Sequence, residues 1–276
     1  MKSKIGFVVD STFGIKPTDG LKVNPLLIHI NGVDYVDGNF DYNKLIEALQ
    51  AKQHVKTSQP TPDSYMNLFK ELISEGYEHI ICLTLSKTLS GTFNSANLAK
   101  SIFGSDNVHV VDTESTINAS GYIAEKALEY SKEHSLEETL LYINQLIDNG
   151  SVIFTVDNLD TLVRNGRLSR VKALIGNILK VKPILRFKDN VLELEHKVRS
   201  FGNVIRYITE EAAKLLDKAK VIVRIAYIDR TEYSEMLYQS IHALDGNIDV
   251  KVTGTISPVV AAHVGLGALG VYLAFE

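Results

Sequence analysis

Residues 86 to 95 read Ser-Lys-Thr-Leu-Ser-Gly-Thr-Phe-Asn-Ser and directly follow the apolar run Ile80-Ile81-Cys82-Leu83-Thr84-Leu85. That run has the length and composition of a strand, and Ala96 to Ile102 reads as a helix. Ser90, Gly91 and Thr92 therefore fall where a strand of an α/β sheet turns into a helix. Free N–H groups at a helix start, the helix dipole and two hydroxyls together make a small anion site. Gly91 lets a ligand approach the backbone closely. Hydroxyls with no cation beyond Lys87 suit a single carboxylate better than a polyphosphate. The competing reading is a serine that merely caps an ordinary helix.

A second group of hydroxyls lies in Val55-Lys56-Thr57-Ser58-Gln59-Pro60-Thr61-Pro62. We read it as a loop between two helices, stiffened because each proline holds the residue before it extended. Such a loop either fixes hydroxyls for a ligand or is a plain interhelical turn with Thr61 as a cap. Near the C-terminus, Ser257-Pro258 opens a short helix through His263 that stops at Gly265. His263 is either a satisfied, partly buried histidine or a ligand contact. Gly265-Leu266-Gly267-Ala268-Leu269-Gly270 has the spacing of a dinucleotide fingerprint, but only six residues follow Gly270, too few to complete a βαβ unit.

Arg164, Arg167, Arg170, Lys172, Lys180, Lys182, Arg186 and Lys188 form a basic run without one acid, in a chain of net charge −4. It reads either as a solvated face or as a surface for a phosphate or an acidic protein partner. Nucleic acid is disfavoured by the overall charge and by the absence of interleaved aromatics other than Phe187. Catalytic patterns are weak. Ser90 lacks the glycine two residues earlier that a nucleophile elbow needs, and the eight histidines show no zinc spacing. Asp10-Ser11-Thr12 lacks the second aspartate of a phosphotransfer site and reads as a carboxylate capping its own turn.

The elements that must position these groups alternate strand and helix through the first half. Strands are expected at 5–9, 25–30, 80–85 and 108–111. Helices are expected at 41–51, from Thr61 to Gly76, at 96–102, from about Ile117, and from the capping box Ser135-Leu136-Glu137-Glu138 to Gly150. Beyond Ser151 the pattern predicts a strand at 152–156, a helix at 173–179 and a hairpin of 183–187 with 191–195. A helix at 203–218, a strand at 221–227, a helix at 232–244 and a strand at 249–254 complete it. The fold class is α/β. An N-terminal parallel-sheet, three-layer domain spans 1–150, and a smaller C-terminal α/β sandwich spans 151–276. The 276 residues, 45% hydrophobic and 22% charged, suffice for two cores. One cysteine, Cys82, rules out an internal disulfide and fits a reducing cytoplasm. No apolar stretch approaches the roughly 20 residues of a membrane helix.

Taken in order, these segments resemble the DegV family of bacterial fatty-acid-binding proteins from end to end. The resemblance is carried by Val8-Val9-Asp10-Ser11-Thr12, Lys56-Thr57-Ser58-Gln59-Pro60, Leu89-Ser90-Gly91-Thr92-Phe93-Asn94-Ser95 and Val111-Asp112-Thr113. It continues through Leu162-Val163-Arg164-Asn165-Gly166-Arg167-Leu168-Ser169, Lys182-Pro183-Ile184-Leu185, Lys197-Val198-Arg199 and Gly254-Thr255 onward to Ala262-His263-Val264-Gly265. The resemblance implies two α/β domains with an acyl chain in an apolar tunnel between them, and no cofactor or metal. It implies that Thr57 and Ser90 hold the lipid carboxylate with His263, and that Ser58, Gly91 and Thr92 are candidate further contacts. Phe93 stands where the family commonly has tyrosine. Some members present the fatty acid to a separate fatty acid kinase that makes the acyl-phosphate, which would place Arg164, Arg167 and Arg170 at a partner. The alternative function is an enzyme acting on a small carboxylate or phosphate ester at the Ser90 junction.

Overall fold

The computed structural model describes residues 4–157, 159–168, 181–188, 190–217 and 220–276. The helix expected at 173–179, and Arg170, lie outside them. In chain order the elements begin β1 (Ile5–Asp10), β2 (Leu21–Asn24), β3 (Leu27–Ile30), β4 (Val33–Val36), α1 (Tyr42–Gln50) and β5 (Val55–Ser58). Next come α2 (Pro62–Ser74), β6 (His79–Thr84), α3 (Thr92–Phe103), β7 (Val108–Asp112), α4 (Ile117–Tyr130) and α5 (Leu136–Asp148). Then follow β8 (Gly150–Thr155), α6 (Asp160–Arg164), β9 (Lys182–Lys188), β10 (Val191–Val198) and α7 (Phe201–Ala213). The last are β11 (Val221–Tyr227), α8 (Thr231–His242), β12 (Ile248–Thr255), α9 (Pro258–Val264) and β13 (Leu269–Phe275). They form two units, Met1–Phe40 with Val55–Asp148, and Asp41–His54 with Asn149–Glu276.

The first unit is built on an all-parallel sheet of order β2-β1-β6-β7. Alternation along the strands sends Val8, Ile80, Cys82 and Val108 into a core with Tyr65, Phe69 and Leu72 of α2 and Ala96 and Ala99 of α3. Phe7, Val9, Ile81 and Leu83, on the opposite face, are equally buried. A sheet buried on both faces needs continuous apolar strands, and this chain supplies them. The helix signals behave locally as expected. Thr61 Oγ1 accepts from Ser64 N at 3.2 Å ahead of Pro62, and Ser135 and Glu138 close a reciprocal capping box at 2.8 and 3.3 Å.

A separate antiparallel sheet of order β4-β3-β5 corrects the reading of residues 55–58 as loop. Val55–Ser58 pairs with β3, opposing Thr57 to Ile28 and Ser58 to Leu27. Its polar composition hid a strand whose identity comes from its partner. The β3–β4 hairpin turns at Asn31-Gly32, with φ of +52° and +80°, the left-handed pair that this dipeptide favours.

The second unit holds a six-stranded sheet of order β10-β9-β8-β13-β11-β12, wider than a smaller domain leads one to expect. Its added member is β13, which pairs antiparallel with both β8 and β11. Ile153, Ile184, Val223, Ile225, Val271 and Leu273 of this sheet share a core with Val204 and Ile208 of α7 and Leu237 and Ile241 of α8. Among the described residues no helix is long and apolar enough to cross a membrane.

Candidate functional site

Strand β6 delivers the chain to a compact turn. Buried Ser86 donates its backbone N–H to Ser115 O at 2.8 Å and accepts from Leu89 N at 3.0 Å and Ser90 N at 3.3 Å through its carbonyl. Its side-chain oxygen accepts from Thr88 N at 3.2 Å. The turn sets Ser90 and Gly91, both half-buried, at the head of α3. Ser90 is not a conventional helix cap. Gly91, which has no side chain, occupies the cap position, and Ser90 Oγ accepts from Thr92 N at 3.4 Å and lies 2.9 Å from Thr92 Oγ1. Other helices here are closed by Thr61, Ser200 and Ser257. The N-terminus of α3 instead keeps backbone donors and two linked hydroxyls together, which suits an anion. Phe93 is half-buried, and Lys87 Nζ lies 5.8 Å from its ring centroid. A ring suffices for that contact, so the tyrosine hydroxyl is dispensable to it.

Thr57 and Ser58, adjacent in sequence, face opposite sides of the β4-β3-β5 sheet. Thr57 shares a face with buried Ile28. Ser58 is exposed, and its Oγ lies 2.6 Å from His29 Nε2, while His29 Nδ1 lies 2.6 Å from Asp34 Oδ1. The connectivity is that of a serine, histidine and carboxylate relay, but Asp34 is 65% exposed and water competes for every link. We assign it to holding the sheet's outer face.

Two residues that sequence reasoning did not place in the site organise it. Gln59 follows β5, and its Nε2 donates to Ser95 Oγ of α3 at 2.9 Å. Asp10 ends β1 and accepts from Thr12 N at 3.0 Å, Thr12 Oγ1 at 2.5 Å and Leu85 N at 2.8 Å. It thereby fastens the base of the turn leading to Ser90, besides capping its own turn. Ser11 does not bind Asp10; its hydroxyl donates to Asp37 at 2.7 Å and accepts from Leu26 N at 3.0 Å. Burial pushes both carboxyls up to about 6, although the bonds from Thr12 and Leu85 to Asp10, and from Ser11 to Asp37, oppose the shift.

In the second unit, His263 stands on α9, whose cap is Ser257 Oγ accepting from Val260 N at 3.4 Å. Burial, reinforced by the charge of Arg167, lowers its pKa to about 4, so the imidazole is neutral at physiological pH. A neutral ring offers a carboxylate one N–H rather than an ion pair. Asn165 Nδ2 donates to Ala262 O at 3.0 Å, tying the turn of Arg164 to Arg167 to the helix of His263. Arg164 and Arg167 are exposed. The basic run is not one surface, however. Lys182 and Arg230 both pair with Asp157, and Arg186 binds Glu195 at 2.8 Å and Glu211 at 2.5 Å. The charges of Lys182 and Arg186 are consumed inside the second unit by acids outside the run.

The DegV family model, described as that of an uncharacterised protein family, matches residues 4–276. A DegV domain-containing protein of Staphylococcus aureus (strain MRSA252) is 34% identical over 273 residues, covering 95% of this chain and 96% of the relative. Two solved structures are similar throughout. A fatty-acid-binding DegV family protein from Thermus thermophilus has a TM-score of 0.89 and 27% identity, covering 99% of this chain and 100% of its own. DegV of Bacillus subtilis, a fatty acid binding protein, has a TM-score of 0.88 and 28% identity, covering 100% of each chain.

Proposed function

The chain belongs to the DegV family, and on that premise we propose that it binds a long-chain fatty acid such as palmitate and acts as a non-catalytic lipid carrier. The observation that carries this reading is the start of α3, where Ser90 Oγ meets both the backbone N–H and the hydroxyl of Thr92, with β5 tied alongside through Gln59. In our reading Thr57 and Ser90 donate to the carboxylate and Gly91 and Thr92 border it, while His263 enters the reading through the family resemblance alone. Ser58, committed to His29 on the other sheet face, stands outside. Affinity comes from the tail: about ten buried methylenes at roughly 0.8 kcal/mol each supply about 8 kcal/mol, micromolar binding before the costs of ordering. The hydroxyl partner of Ser90 is Thr92, which is no general base, and this favours a carrier over an enzyme acting on a small carboxylate or phosphate ester. The buried thiol of Cys82 fits work in the reducing cytoplasm.

Native mass spectrometry of protein purified from cells tests this reading. The expected result is a fatty-acid adduct released on denaturation. Protein that arrives bare and fails to take up added palmitate overturns it.

We further propose that a fatty acid kinase is the partner, meeting the exposed Arg164 and Arg167 beside the helix of His263, with Arg170 in the same basic run. Reversing charge with Arg164→Glu and Arg167→Glu should leave palmitate retention intact. It should slow phosphorylation of the bound lipid roughly tenfold at low salt, through association, and much less at high salt. Loss of lipid retention would assign the arginines to the ligand instead.

A further inference from the structure

Gln59 is exposed by its surface area, yet its side chain is engaged on two sides. Its Nε2 donates to Ser95 Oγ at 2.9 Å, and Ser95 is buried in the first turn of α3. Its amide also lies over the Cα of Gly91: a Cβ built at residue 91 would sit 2.0 Å from Oε1 and 2.8 Å from Cδ of Gln59. Gly91 has φ −74° and ψ 5°, which any residue adopts, so its backbone does not demand glycine. A methyl group there would instead have to push aside the Gln59 amide, the flexible end of its side chain. Pro60, buried directly after it, holds the Gln59 backbone extended. The main chain two residues earlier is pinned by the pairing of Thr57 with Ile28.

We propose that Gln59 is a latch, a positioning residue that sets the Thr57 strand against the Ser90 turn and so determines preference for a carboxylate head group, with Gly91 as the seat it requires. The latch joins two segments about thirty residues apart in sequence, through one side-chain bond and one steric fit. It touches no ligand in this assignment; it acts through the placement of Thr57 and Ser90. The inference rests on the proposed fatty-acid site and deepens it by naming what tunes head-group selectivity.

The experiment compares palmitate with hexadecanol, which shares the chain and lacks the charge, on wild-type protein, Gln59→Ala, Gln59→Met, Gly91→Ala and the Gln59→Ala/Gly91→Ala double variant. Wild type binding palmitate in preference to hexadecanol establishes the site; wild type binding neither defeats the underlying reading, not the latch. Given binding, Gln59→Ala and Gln59→Met should each weaken palmitate about five- to twentyfold and leave hexadecanol within about twofold, since the tail contacts are untouched. Gly91→Ala should do the same by displacing the amide. The double variant should be no weaker than either single one, because the second change has nothing left to disturb. A Gln59→Ala protein with unaltered selectivity overturns the latch, as does equal loss for both ligands, which would mark general loosening. Multiplying single effects in the double variant would separate Gln59 from Gly91 and likewise overturn it.

Discussion

Replacing Thr57 and Ser90 together by alanine is expected to weaken palmitate binding by about 2–5 kcal/mol, roughly thirty- to several-thousandfold. A carboxylate leaving water surrenders strong hydrogen bonds, and bonds to charged groups are worth more than neutral ones when they replace them. With both hydroxyls gone, the anion loses two of the donors proposed for it. Each single variant should cost less than half the double effect if its partner can take up part of the charge. Hexadecanol affinity should hardly change, which separates a lost head-group site from a damaged fold. Isothermal titration with both ligands makes the measurement. An unchanged palmitate affinity in the double variant would remove both residues from the site.

The protein is also expected to lose stability as pH rises from about 4 to about 6, owing to Asp10 and Asp37. Both are buried carboxyls held up near 6 in the fold, against about 4 in an unfolded chain. Within that window the folded form binds more protons than the unfolded form, so unfolding becomes easier as pH climbs, and the dependence flattens above 6. Holding a carboxyl near 6 instead of near 4 corresponds to about 3 kcal/mol for each group as an upper figure. Exposed pairs elsewhere act in the opposite sense, so the difference between proteins is the informative quantity. Asp10→Asn should remove its share of the slope while lowering stability at pH 4, because an amide has one oxygen and cannot accept from Thr12 N and Leu85 N as the two carboxyl oxygens do. Carboxyl carbon shifts followed by NMR give the direct check: both side chains titrating near 4 would sink the prediction. The consequence reaches the site, since Asp10 secures Leu85 at the base of the Ser90 turn.

Much of this protein is legible in its residues one segment at a time. Thr61 with Pro62, Ser135 with Glu138 and Ser257 with Pro258 mark helix starts, because a cap is a contact between residues three positions apart. The apolar runs of β1 and β6 announce a sheet buried on both faces, and the ordered motifs announce the family. Asn31-Gly32 is a local hairpin signal too, lying just past the strand expected at 25–30. Other features have no local signature. β5 is four residues, three of them polar, and becomes a strand only by pairing with β3. β13 lies within a glycine-rich tail and gains its place from β8 and β11. Residues 41–54 group with the second unit although no shift in composition sets them apart.

What the sequence alone determined is the inventory: the α/β class, the hydroxyls of Thr57 and Ser90, the histidine at 263 and the family that joins them. Their neighbours in space are settled only on folding. The tertiary structure turned Ser58 away to His29, spent Lys182 and Arg186 on internal acids, and laid Gln59 across Gly91. Caps and alternation are governed by neighbours along the chain and can be read there. Strand partners, ion pairs and steric seats are governed by neighbours in space, which the chain acquires only on folding.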